Sequence, residues 1–102
     1  METVAGKAER SHNALLIIDV QVGLVKLIPG EIRAVVLSRI EALLSRARAS
    51  GTPVIYIQHD RPRGHPLETH TKGWDIHPSI KPLDSESVVN RIPSSKPPFS
   101  RN

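Results

Sequence analysis

Ala14-Leu15-Leu16-Ile17-Ile18-Asp19-Val20 decides how this chain reads. The apolar residues run without alternation up to an aspartate. That pattern belongs to a strand buried on both faces, as in a parallel sheet. A buried helix segment is the competing reading, but Gly23 and then Pro29-Gly30 close off the space a longer helix needs.

Downstream, Ile32, Val35, Val36, Ile40, Leu43, Leu44 and Ala47 recur at spacings of three and four, with arginines largely off that face. The spacing predicts an amphipathic helix over 31–49, one face down on a core. Glu31 in the first turn and arginines in the last suit the helix dipole. Gly51 is a natural residue just past the helix end, and Pro53 blocks continuation. Val54-Ile55-Tyr56-Ile57-Gln58-His59 is β-branched and aromatic and reads as a second strand. Strand, helix and strand make a βαβ unit, whose crossover is expected to be right-handed. Residues 60–86 show neither period and hold four prolines, as an active-site loop, a lid or disorder does. Ser87-Val88-Val89-Asn90-Arg91 reads as a short third strand. Residues 1–12 are expected to fray and 92–102 to form an irregular tail, leaving 13–91 as the folded part.

The fold class is therefore α/β with a parallel sheet. A doubly wound sheet needs helices on both faces, and one strong helix covers one face. Length and pattern together read as part of a domain.

Composition narrows the function. The chain has 102 residues, 38% hydrophobic, with Phe, Tyr and Trp once each, a lean supply for a core. The absence of cysteine excludes disulfides, zinc ribbons and any cysteine nucleophile within the chain. The net charge of +4 is spread evenly over the two halves. Scattered charge with few aromatics argues against nucleic acid, which needs a focused patch or stacking platforms. The longest apolar run is too short to span a bilayer. Residues 1–10 lack the apolar core of a signal peptide, so a cytoplasmic location is expected.

Asp19 stands at the carboxyl end of the first strand, where ligands bind in open α/β sheets. A partly desolvated carboxylate there can be tuned for proton transfer; the plainer alternative is a strand-end Asp that caps the next turn. His59, His65, His70 and His77 invite a metal reading, but their spacings match no ligand pattern, and loop histidines beside prolines are more often just exposed. Trp74, the single tryptophan, reads either as a lid residue over a ligand or as a loop anchor.

Ala14–Leu24 (ALLIIDVQVGL) resembles the opening of the isochorismatase-like cysteine hydrolases. The likeness continues through Gly51–Asp60 (GTPVIYIQHD), resumes at Gly73–Ile80 (GWDIHPSI), and includes Pro82-Leu83 and Val88-Val89, in the family's order. The resemblance implies a three-layer α/β/α fold and a triad of Asp, Lys and Cys acting on a small amide, vinyl ether or related compound. It assigns Asp19 as the proton acceptor and puts Gln21 near the substrate pocket; Trp74 joins Gln21 as a candidate substrate contact. Arg91 stands where the family has its Lys, with Lys96, before Phe99, as the other candidate. Nicotinamidases of this family carry an Asp-x-His metal site after the second strand. His59 and Arg61 occupy those positions, and arginine does not ligate a divalent cation, so no metal or cofactor is expected. The family's Cys lies in its second half and has no counterpart here. The chain alone is therefore expected to be inactive. Its first strand is expected to present an unpaired apolar edge, open to self-association or to pairing with a full-length relative. A non-catalytic interaction module acting through that edge is the alternative reading.

Overall fold

The apolar runs become neighbours in one sheet. In the computed structural model, which describes residues 12–92, Leu15–Ile18 forms β1. A single helical turn, α1 (Val22–Val25), and a long helix, α2 (Gly30–Ala49), lead to β2 (Val54–His59) and later to β3 (Ser87–Arg91). β1 pairs parallel with β2, Leu15 opposite Val54 and Ile18 opposite Ile57. β3 joins the other side of β2, also parallel, with Ile55 opposite Ser87 and His59 opposite Arg91. The order β1-β2-β3 brings all three carboxyl ends to one edge of the sheet. The expected frayed start and irregular tail, with Lys96 and Phe99, lie outside the described residues except for His12 and Ile92.

α2 begins after Pro29 and ends as its sequence requires. Gly51 takes a left-handed φ of 76°, and the N–H groups of Gly51 and Thr52 bond back to the carbonyls of Arg48 (3.3 Å) and Ala47 (2.9 Å). This is the two-bond glycine stop that satisfies the last helical carbonyls. Arg33 returns from the first turns to donate to the carbonyls of Ile28 and Lys26.

Packing of α2 departs from the predicted face. Leu44 and Ala47 are buried, but Ile32, Val35 and Leu43 remain about half exposed. For Ile32 and Val35, in the amino-terminal half, the cause is length. Twenty helical residues reach about 30 Å. The strands beneath hold four to six residues, or roughly 13–20 Å. Only the carboxyl-terminal half of α2 therefore finds strand to lie on. The core is Ile17, Leu44, Ala47, Val54, Tyr56 and Ile80, with Leu15, Val20, Ile40 and Ile76 packed against it. Side chains alternate across the sheet, so Leu16 and Ile18 point away from Ile17 and are 50% and 52% exposed. Val89, in register with Ile57 and so with Ile18, is similarly exposed.

Tyr56 anchors the core to the loop region. Its hydroxyl donates to the Ile80 carbonyl at 2.6 Å and accepts from Arg48 Nη2 at 3.2 Å. Burial pushes the phenol above its ordinary pKa. Arg48 grips Glu86 through two bonds of 2.7 and 2.8 Å. That pairing holds the Glu86 carboxyl below its usual range and raises the guanidinium further.

The stretch 60–86 is irregular, as its sequence suggests, yet it is fastened down. It holds two single 3-10 turns, Lys72–Trp74 and Pro78–Ile80, and buries Leu67 and Ile80. Gln21 bridges to Ile76, Val22 N–H bonds the Asp75 carbonyl at 2.9 Å, and His77 N–H bonds the Val20 carbonyl at 3.0 Å. Gly23 and Gly73 let backbone meet backbone: a Cβ on either would fall 2.3 or 2.1 Å from the Pro66 carbonyl oxygen.

Candidate functional site

The polar residues gather at the carboxyl edge of the sheet. Asp19 leaves β1 at a φ of 62°, a left-handed conformation that Asp tolerates better than most residues. Its N–H still bonds the Ile57 carbonyl at 3.0 Å, so the turn starts from fixed sheet register. The carboxylate is 33% exposed, and its Oδ1 meets Nδ1 of His59, whose side chain is 13% exposed. His59 ends β2, and parallel pairing is what places it beside the end of β1.

Gln21 is fully buried and joins three segments. Its Oε1 accepts from the His59 N–H at 3.0 Å. Its Nε2 donates to the carbonyls of His59 (3.1 Å) and Trp74 (2.8 Å). The Trp74 carbonyl also accepts from Gln58 Nε2 at 2.9 Å, and Gln58 Oε1 accepts from Asn90 Nδ2 at 2.8 Å. One amide chain thus runs from β3 through β2 and the loop to the end of β1. Buried amides are tolerable because their groups are paired in this way. With its donors and acceptor engaged and no exposed surface, Gln21 fixes the floor of the site.

Trp74 is held at both ends. Its carbonyl is pinned by the two glutamines, and its indole N–H donates to Asp60 Oδ1 at 2.7 Å. The ring is half-buried and meets His70 edge-on at 4.9 Å. Of the two sequence readings, these contacts are those of a loop anchor. Arg91 closes β3 opposite His59 and is exposed; its carbonyl accepts the Asp60 N–H at 2.9 Å. Strand spacing sets β3 about 9–10 Å from β1. Among the described residues, the side chain that meets the Asp19 carboxylate is that of His59.

The loop histidines do not converge. His65 Nδ1 accepts from the Leu67 N–H, His77 Nδ1 from the Ser79 N–H, His70 lies on Trp74 and His59 on Asp19. Among the described residues no three His, Asp or Glu side chains form a metal-ligating group. No helix among them is long and apolar enough to cross a membrane.

The His59 contact with Asp19 was not read from the sequence, where His59 stood only among metal candidates. The signal was present: adjacent parallel strands of a βαβ unit end side by side, so the residue ending the second strand lies next to the aspartate ending the first.

A parallel sheet with a partly exposed carboxylate at its carboxyl edge, backed by a buried amide network, defines an α/β protein whose polar residues gather where open parallel sheets bind ligands. The isochorismatase domain profile matches residues 13–99, and the chain belongs to that family. Two streptothricin hydrolases of Streptomyces noursei are similar to it. One is 38% identical over 76% of this chain and 29% of its own length, the other 36% identical over 89% and 36%. A crystal structure of an isochorismatase from Pseudomonas putida superposes with a TM-score of 0.64 at 31% identity, over 81% of this chain and 43% of that one. The chain thus spans about a third of the hydrolases and under half of the solved structure.

Proposed function

We propose that this chain supplies the proton-accepting carboxylate of an isochorismatase-family hydrolase site, with Asp19 as the base, and that the 102 residues do not turn over substrate alone. The observation that carries this reading is the placement of Asp19: partly exposed, at a strand end, its backbone turned into the left-handed region and one oxygen already fixed. In the scheme that the family implies, a thiol attacks the substrate carbon. For an amide, the S–H proton passes to Asp19 as the S–C bond forms and the carbonyl π bond opens to an oxyanion. As the carbonyl re-forms, the C–N bond breaks and the amine leaves with that proton. Water then releases the acyl group from sulfur, while a cation (Arg91 here, or Lys96) balances the charge. The chain contains no cysteine, so the thiol has to come from other residues. Backbone amides would receive the developing oxyanion. The substrate class is a small amide, vinyl ether or related compound. Streptothricin is the first to try, because two relatives carry it in their names.

The test mixes the purified chain with the separately expressed remainder of a Streptomyces noursei streptothricin hydrolase. No hydrolysis is expected from the chain alone. Activity is expected in the mixture, with a loss of about 10²-fold or more in Asp19→Asn, as for a missing general base. Turnover by the chain alone that Asp19→Ala abolishes, or an unchanged rate in the Asp19→Asn mixture, contradicts the proposal.

A second reading, a non-catalytic module pairing through β1, is favoured by one observation: among the described residues β1 pairs only with β2, and Leu16 and Ile18 stand half exposed. A hetero-oligomer with a full-length relative, seen by native mass measurement and lacking hydrolytic gain, would support it.

A further inference from the structure

We infer that His59 is a positioning residue for Asp19: its Nδ1–H holds Oδ1 and leaves Oδ2 as the oxygen that takes up a proton. The inference rests on the reading of Asp19 as the base.

The geometry supplies each part. An ionised carboxylate only accepts hydrogen bonds, so in the Asp19–His59 contact the shared proton belongs to Nδ1. In the singly protonated ring the lone pair then lies at Nε2. The tautomer is thus set by the aspartate, as in other carboxylate–imidazole pairs. The ring is held from behind. Gln21, itself fully buried, bonds both the N–H and the carbonyl of His59. These two bonds, with the register against β1 and β3, fix the backbone from which the imidazole projects. On the other side, the left-handed φ of Asp19 directs its side chain toward β2. An outlier of this kind costs energy and persists where surrounding contacts over-determine it. The charged groups around the ring are Asp19 from the end of β1, Arg91 in register on β3, and Asp60 beside it, whose Oδ1 is already taken by Trp74 Nε1. Asp19 is the carboxylate that engages the ring. A carboxylate with one oxygen bound and one free presents a single, directed lone pair to a reacting proton, which is what orientation contributes to a general base.

The experiment is long-range ¹H–¹⁵N spectroscopy of the histidine rings in the labelled full chain. The neutral His59 ring is expected to carry its proton on Nδ1. Asp19→Gly deletes the carboxylate while accepting the left-handed backbone, and it is expected to abolish that preference for His59 alone among the five histidines. Side-chain couplings of Asp19 form the second readout. A single χ1 rotamer is expected in the native chain, rotamer averaging in His59→Leu, and a single rotamer again in His59→Asn, whose amide N–H sits near the Nδ1 position. If the chain associates, magic-angle-spinning spectra of the sediment read the same tautomer. An Nε2–H ring in the native chain, a tautomer indifferent to Asp19→Gly, or an Asp19 rotamer indifferent to His59→Leu each overturns the inference. Failure to reconstitute hydrolysis counts against the proposed function only and leaves these spectra standing.

Discussion

Removing the Gln21 side chain tests the amide network most directly. In Gln21→Ala the His59 N–H loses its only acceptor in that network, and the His59 carbonyl loses a donor. The Trp74 carbonyl keeps Gln58 Nε2. One stranded buried donor costs about 1–3 kcal/mol. The void left beyond Cβ adds roughly 1–2 kcal/mol in a site that cannot collapse freely. The expected loss is therefore about 2–5 kcal/mol, a large share of the roughly 5–15 kcal/mol available to a domain of this length. With a urea slope of about 1–2 kcal/mol per molar, the midpoint should fall by roughly 1–5 M. The assay is urea unfolding followed by the fluorescence of Trp74, the one tryptophan, whose carbonyl belongs to the same network. It should be run at roughly 10–20 °C, near the usual stability maximum. Gln21→Met keeps the volume and deletes the bonds, so it should retain only the donor part of the loss. If Gln21→Ala costs less than about 0.5 kcal/mol, as a surface change does, the network reasoning is wrong.

Four further outcomes are expected. Gly73→Ala should destabilise by about 1–3 kcal/mol in the same urea assay, because its Cβ falls 2.1 Å from a backbone oxygen. Gly30→Ala, with nothing within 4 Å of its Cβ, should be neutral or stabilising. Glu86 has a folded pKa below its ordinary value near 4.5. Its contribution is thus fully present above that value and is lost as pH falls through the depressed folded pKa. Thermal melts across that acid range should lose stability in the native chain and lose less in Glu86→Gln. Finally, sedimentation of the native chain should show self-association that Leu16→Lys with Ile18→Lys abolishes, since both residues stand half exposed on β1, an edge strand among the described residues.

Much of the scaffold was legible because its elements are written in consecutive residues. β2 and β3 follow the runs 54–59 and 87–91, and Gly51 ends the helix where a left-handed residue was required. The isochorismatase likeness was legible for the same reason: its motifs are short and ordered. The overhang of α2 was not. Periodicity tells which side of a helix is apolar, but not how much sheet lies beneath it. The inner structure of the site was hidden for a different reason. Gln21 meets residues 38 and 53 positions away, and His59 meets Asp19 across 40. No local pattern marks a glutamine that will be fully buried. The packing of Gly23 and Gly73 against Pro66 is likewise visible only once the loop has closed.

The sheet winds in one direction only, from β1 through β2 to β3. Any strand joining the side of β1 that carries no strand among the described residues would reverse that winding. In open α/β sheets such a reversal opens a crevice between the loops that depart to opposite faces, and ligands settle there. Asp19 already stands on the lip of that prospective crevice, whereas Arg91 sits two strands outward on the flank.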